Sequence, residues 1–187
     1  MSQRGSGYAR KDRDLYETPV WATNCLHPYL PDRSLQRIWE PAAGAGAMID
    51  VFAEWGAGWF ATDIQPLTST AEQSDFFSWQ TLPHDASSII TNPPYKIATR
   101  FIEHALRLTE QRGGVVAMLL RTDFDHAKTR RHLFADHPAF AKKIVLRKRI
   151  RWFEPKPGEK KKSPSFNHAW FIWDWRHGGE PTIAWAA

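Results

Sequence analysis

The stretch LQRIWEPAAGAGAMIDVFAEWGAGWFATDI, residues 35–64, carries the reading of the fold. Leu35–Trp39 is a short β-type run that ends at Glu40-Pro41. From Ala47 to Trp55 the apolar residues Met48, Val51, Phe52 and Trp55 recur at helical spacing, and Gly58–Ile64 is again β-type. Strand, loop, helix, strand is the unit from which parallel sheets are built. The loop, Glu40-Pro41-Ala42-Ala43-Gly44-Ala45-Gly46, holds two glycines that let the backbone turn tightly and approach a ligand. Position 49 is Ile, so the full GxGxxG pattern is absent, and GxG alone is equally compatible with a plain turn. Asp63 follows Glu40 by 23 residues at the end of the second strand. A carboxylate there can accept hydrogen bonds from ribose hydroxyls.

The same alternation continues in both directions. Thr18-Pro19 reads as a helix start, Thr18 as cap and Pro19 at the first helical position, with the helix ending near Pro28 or Pro31. Ser87–Thr91 is a strand. Ile97, Phe101, Ile102, Ala105 and Leu108 define a helix, and the apolar run Gly113–Leu120 is a strand buried on both faces. We expect a helix over Phe124–Phe134 and late strands at Lys143–Arg147 and His168–Trp175. The whole reads as a doubly wound α/β sheet in one domain, residues 15–187, behind a disordered segment at 1–14.

Composition narrows the classes. At 187 residues, 42% hydrophobic and 24% charged, the chain is a globular domain able to bury a core. A single cysteine, Cys25, excludes an internal disulfide and a multi-cysteine metal site, and we read it as a packing residue. No apolar run reaches membrane-spanning length and no signal sequence is evident, so a soluble, cytoplasmic protein is expected. Between Arg147 and Lys162 eight basic residues meet two acids, a net +6 against +5 for the whole chain. That loop, about 148–166, is either a solvated charge run or the footprint of a polyanion.

Asn92-Pro93-Pro94-Tyr95 follows the strand Ser87–Thr91. Two prolines stiffen the segment and remove two backbone donors, leaving the Asn92 side-chain oxygen and the Pro93 carbonyl as acceptors beside one aromatic ring. Such a loop suits a planar amine. Asp75-Phe76-Phe77 adds an acceptor and an aromatic wall at another strand end, although Phe76 alone is equally a core aromatic. His168 is either a base contact or a surface histidine at a strand start, and the ten tryptophans read mostly as core or rim.

Taken in order, Tyr16-Glu17-Thr18-Pro19, Glu40-Pro41-Ala42-x-Gly44-x-Gly46, Asp63, Asp75-Phe76-Phe77 and Asn92-Pro93-Pro94-Tyr95 resemble the gamma-class DNA adenine-N6 methyltransferases over about residues 14–175. The resemblance implies a Rossmann-like class I methyltransferase with a seven-stranded, mostly parallel sheet, an antiparallel last strand and helices on both faces. It implies S-adenosyl-L-methionine (AdoMet) as cofactor, held by Tyr16, Thr18, Glu40, Ala42, Gly44, Gly46, Asp63, Ile64, Asp75 and Phe76. Asn92, Pro93, Pro94 and Tyr95 become the catalytic loop, with no metal. An aromatic that stacks on the flipped base is expected at Phe153, or else Trp152. Nucleic acid, DNA before RNA, would be met by Arg149, Arg151, Lys160, Lys161 and Lys162. Only 12 residues follow Trp175, so target recognition would come from the 150–166 loop or from a partner, or be loose. An RNA adenine-N6 methyltransferase, a protein glutamine-amide methyltransferase and a non-catalytic nucleic-acid-binding module remain as alternatives. The basic loop, Glu17-Thr18-Pro19 and the lack of an N-terminal substrate domain weigh against the protein substrate.

Overall fold

In a computed structural model of the chain, the structure describes residues 16–152, 163, 164 and 166–186. The segment 1–14, Phe153 and Lys160–Lys162 lie outside the described residues.

Eight strands form one sheet: β1 (Arg37–Glu40), β2 (Gly58–Asp63), β3 (Glu72–Gln73), β4 (Ser88–Thr91), β5 (Val115–Arg121), β6 (Phe140–Leu146), β7 (His168–Asp174) and β8 (Thr182–Ala186). Their order is β3-β2-β1-β4-β5-β7-β6-β8, and only the pairs made by β7 are antiparallel. The doubly wound expectation therefore holds, with two corrections. Among the described residues the sheet has eight strands rather than seven, and the antiparallel strand is β7, while the last strand, β8, lies parallel to β6. β3 was too short to show a period, and β8 is an edge strand with mostly exposed residues and little apolar burial to mark it.

The helices α1 (Val20–Asn24), α2 (Ala47–Glu54) and α3 (Ala98–Glu110) cover the two faces. β5 shows why both must be covered. Val116, Met118 and Leu120 join the α3-side core, whereas Val115, Ala117 and Leu119 join the core under α1 and α2. A strand alternates faces with period two, so a continuous apolar run needs apolar partners on each side. Trp39, Trp170 and Trp173 are fully buried, and each indole N–H has an acceptor: Thr62 Oγ1 at 3.0 Å, Ala22 O at 2.7 Å and Leu133 O at 2.6 Å. Truncating any of them would cost about 3–5 kcal/mol.

Two local expectations fail. Residues 124–134 form 3₁₀ turns, Phe124–His126 and Lys128–Leu133, because Lys-Thr-Arg-Arg-His offers no apolar stripe to hold an α-helix on the core. Pro19, not Thr18, is the N-cap of α1, and no side chain caps it. Thr18 is buried instead and lines a cleft at the strand ends.

Candidate active site

The strand order reverses between β1 and β4, and α/β sheets bind ligands at such a switch point, beyond the carboxyl ends of the strands. A cleft of about 380 Å³ lies there. Of the residues singled out from sequence, Tyr16, Thr18, Glu40, Ala42, Gly44, Asp63, Ile64, Asp75, Phe76, Asn92 and Pro94 line it. Gly46 stands behind as the N-cap of α2, in a left-handed conformation with φ 87°.

The β1–α2 loop is held by one carboxylate. Asp63 accepts the Gly44 N–H on Oδ2 at 2.8 Å and the Gln65 N–H on Oδ1 at 2.7 Å. Each oxygen keeps a further acceptor direction for a ligand hydroxyl. The Leu67 N–H donates to Gly44 O at 2.9 Å, so the segment after β2 is tied to the same loop. Ile64 and Leu67 are exposed apolar side chains at the rim.

Glu40 is 2% exposed, and its Oε2 has no hydrogen-bond partner. Burial first, and the nearby Asp63 charge second, push its carboxyl well above the usual carboxylate range. A buried acid in this condition is stabilised by any cation that enters the cleft.

Asn92 is oriented by Tyr16. Its Nδ2 donates to the Tyr16 carbonyl at 3.3 Å, which fixes the amide and leaves Oδ1 buried without a partner. Pro93 is buried beneath the loop; Pro93 and Tyr95 do not line the cleft. The Tyr95 ring lies near-parallel to His168 (centroids 6.1 Å, 25°). Trp152 meets His168 edge-on at 5.1 Å and the Tyr16 ring at 5.4 Å. An aromatic chain thus joins the segment before α1, the loop after β4 and the start of the basic loop. His168 is buried, correcting the surface reading, and burial with the nearby Arg121 lowers its pKa to about 4 against the opposing pull of Asp123.

Asp75 turns its carboxylate onto the Phe77 N–H at 2.9 Å. Phe76 is both core and wall: it stacks on Phe101 at 4.6 Å and still lines the cleft, as does Phe77, whose ring carries the Arg100 guanidinium at 4.5 Å. Met48, Leu67, Ile97 and Phe101 also line it and escaped sequence reading. Ile97 and Phe101 sit four apart, the spacing of a core stripe, and nothing in the pattern separates wall from core.

The basic loop is partly placed. The Lys148 ammonium lies 5.0 Å from the Trp21 ring centroid, and Arg149 spends its guanidinium on Asn167 Oδ1 at 2.9 Å and Pro164 O at 3.3 Å. Arg151 is half-buried. Cys25 is half-buried against the α1-side core, and burial raises its thiol pKa, in keeping with packing. Among the described residues no group of metal-ligating side chains occurs, and no helix is long and apolar enough to cross a membrane.

No family model and no curated protein matches the sequence. Solved structures match at low identity. A candidate RNA methyltransferase from Pyrococcus horikoshii is 15% identical, with 87% of each chain covered and a TM-score of 0.62. A candidate class I S-adenosylmethionine-dependent methyltransferase from Listeria monocytogenes is 13% identical over 88% of this chain and 62% of its own, with a TM-score of 0.57. The chain has the class I methyltransferase fold. The modification subunit of a candidate type I restriction enzyme from Vibrio vulnificus shares this fold at 13% identity and a TM-score of 0.57, over 91% of this chain but 46% of that subunit. The class I fold thus accounts for nearly the whole chain, which spans less than two thirds of the Listeria and Vibrio proteins.

Proposed function

We propose that the protein transfers a methyl group from AdoMet to the exocyclic N6 amine of adenine in DNA, with the target base flipped out of the duplex. The observation that carries this reading is Asn92: its amide nitrogen is engaged by Tyr16, and its oxygen is buried without a partner at the cleft. A fixed, unsatisfied acceptor calls for a hydrogen-bond donor on the ligand.

The donor set also fits the cofactor. Glu40 offers a buried carboxyl without a counter-charge, suited to an ammonium, and Asp63 keeps acceptor capacity for ribose hydroxyls. Phe76, Phe77 and Ile64 offer apolar surface for a flat ring. AdoMet, when bound, supplies a methyl group activated by a sulfonium.

The chain's part is orientation and electrostatics. An adenine N6 lone pair is delocalised into the ring and is a poor nucleophile. Accepting its two hydrogens on Asn92 Oδ1 and the Pro93 carbonyl favours a pyramidal nitrogen and stabilises the positive charge that grows on it. The stiff Pro93-Pro94 loop keeps the Asn92 oxygen in place at the cleft before the substrate arrives, whereas the Pro93 carbonyl, which does not line the cleft, has to come into reach as the base enters. Extruding a base costs a few kcal/mol, and stacking on an aromatic returns roughly 1–3 kcal/mol. We assign that stacking to Tyr95, backed by His168, and to an aromatic at the start of the basic loop. Trp152 stands in this aromatic chain; Phe153 lies outside the described residues. Arg151 and Lys160–Lys162 are assigned to phosphates; exposed Arg149 holds Asn167 and Pro164 through Nε and Nη1 and has its Nη2 donors left for a phosphate.

The test is Asn92→Ala. Methyl transfer to duplex DNA should fall by about 10²–10³-fold in kcat, as when one preorganised partner of a developing charge is removed. AdoMet affinity by calorimetry should change little. Full activity in Asn92→Ala would refute the role given to this loop.

A further inference from the structure

α3 opens with a charge that the helix does not explain. Arg100 sits in its first turn, where a cation opposes the helix dipole, and no acidic residue stands in that turn. Arg100 is exposed, and among the described residues no carboxylate pairs with it. What it meets is the Phe77 ring, with 4.5 Å from the guanidinium carbon to the ring centroid.

The two neighbouring phenylalanines differ in what they have left to offer a ligand. Phe76 is 3% exposed, and its ring is taken up by Phe101, stacked at 4.6 Å, and by Trp39, edge-on at 5.2 Å. Phe77 is half-buried and lines the cleft, and Phe101 and His104 meet its ring steeply, at 80° and 67°. Burial, and after it Arg107, lower the pKa of His104, so at neutral pH it is an uncharged imidazole and Arg100 is the cation on this ring. Asp75 accepts the Phe77 N–H at 2.9 Å and fixes the backbone that carries the ring. Arg100 itself does not line the cleft, so it reaches a ligand there through Phe77.

We infer that Arg100 is a positioning residue for the cofactor: it holds the Phe77 ring, and Phe77 stacks on the adenine ring of AdoMet. A guanidinium on one face fixes the tilt of the ring and draws its π density away from the other face. That makes the other face a better partner for an electron-rich purine. The inference rests on the AdoMet reading of the cleft and is independent of the methylated substrate. It gives the stacking to Phe77, where the family resemblance implies Phe76.

The test is calorimetric titration of AdoMet, and of adenosine as the ring without the methionine, with thermal melts alongside. Phe77→Ala should weaken both ligands by about 5- to 100-fold, and Phe77→Leu, which keeps apolar bulk without a ring, should recover little. Arg100→Met should weaken both by about 2- to 5-fold while the protein melts no earlier than the wild type. Arg100→Lys, which keeps a cation, should recover part of that loss. In a Phe77→Ala background Arg100→Met should cost nothing further, because its effect passes through the ring. Unchanged affinity in Arg100→Met or in Phe77→Ala would overturn the inference, as would wild-type affinity in Phe77→Leu. So would an equal loss from Arg100→Met with and without Phe77, the mark of direct contact, or a lowered melting temperature in Arg100→Met, the mark of a structural role. If the wild type binds AdoMet and Arg100→Met binds it equally well, only this inference is wrong. If the wild type binds no AdoMet, the cofactor reading fails and this inference fails with it.

Discussion

Among the described residues, Glu40 and His168 are almost fully buried and the fold opposes the ionisation of both, and each gives a test. The Glu40 carboxyl is raised by burial and by Asp63, so the folded chain holds a proton that the unfolded chain releases. Its contribution to stability is therefore greatest at low pH and declines as pH rises above about 4.5, the ordinary value, towards the raised one. Glu40→Gln should remove that decline and make the ligand-free protein relatively more stable at neutral pH. The same change should weaken AdoMet binding by about 10- to 100-fold, the loss of one charge-assisted hydrogen bond. Thermal melts and calorimetry across pH would check both. His168 has the opposite sign. Its pKa falls from 6.5 to about 4, so the unfolded chain takes up a proton in that window and the folded chain does not. Stability present above pH 6.5 is lost as pH falls towards 4, by about 3 kcal/mol at most. Denaturant titrations at pH 7 and pH 5 should show this slope in the wild type and a flatter one in His168→Phe.

At the scale of elements, the loop from β1 into α2 carries a further prediction. Gly46 adopts φ +87°, and a Cβ there would sit 3.3 Å from Thr68 Cγ2, on the segment that Leu67 ties to Gly44. Gly56, just beyond α2, adopts φ +70° in open space. An alanine at either position bears left-handed strain of about 1–2 kcal/mol. Both variants should melt earlier to a similar degree, but only Gly46→Ala should also weaken AdoMet binding. Equal effects on binding would deny the loop its place in the cofactor site. The same elements show what the sequence could and could not convey. Asp63, Glu40 and Asn92 were legible because each closes a strand and carries a side chain that strand ends use for ligands. Ile97, Phe101 and Leu67 were not, because an apolar wall and an apolar core obey the same spacing. His168 looked like a strand-start surface residue; Tyr95 and Trp152, distant in sequence, enclose it. β8 escaped notice because an edge strand buries little.

Across the whole molecule, the sheet places three contributions at one edge. The cleft lies at the ends of β1, β2 and β4, the loop Asn92–Tyr95 follows β4, and the basic segment begins where β6 ends. The low-identity structural matches account for the fold of this arrangement, and the substrate must come from the chemistry at its edge. The most direct measurement is to incubate the protein with AdoMet labelled on its methyl carbon, together with duplex DNA, structured RNA and a glutamine-containing protein in competition. Digestion to nucleosides and amino acids, with mass spectrometry of the labelled products, then identifies the modified atom. N6-methyladenine from DNA, absent with Asn92→Ala, is the predicted result. Label on another atom, on RNA or protein in preference to DNA, or in none of the three, would contradict it.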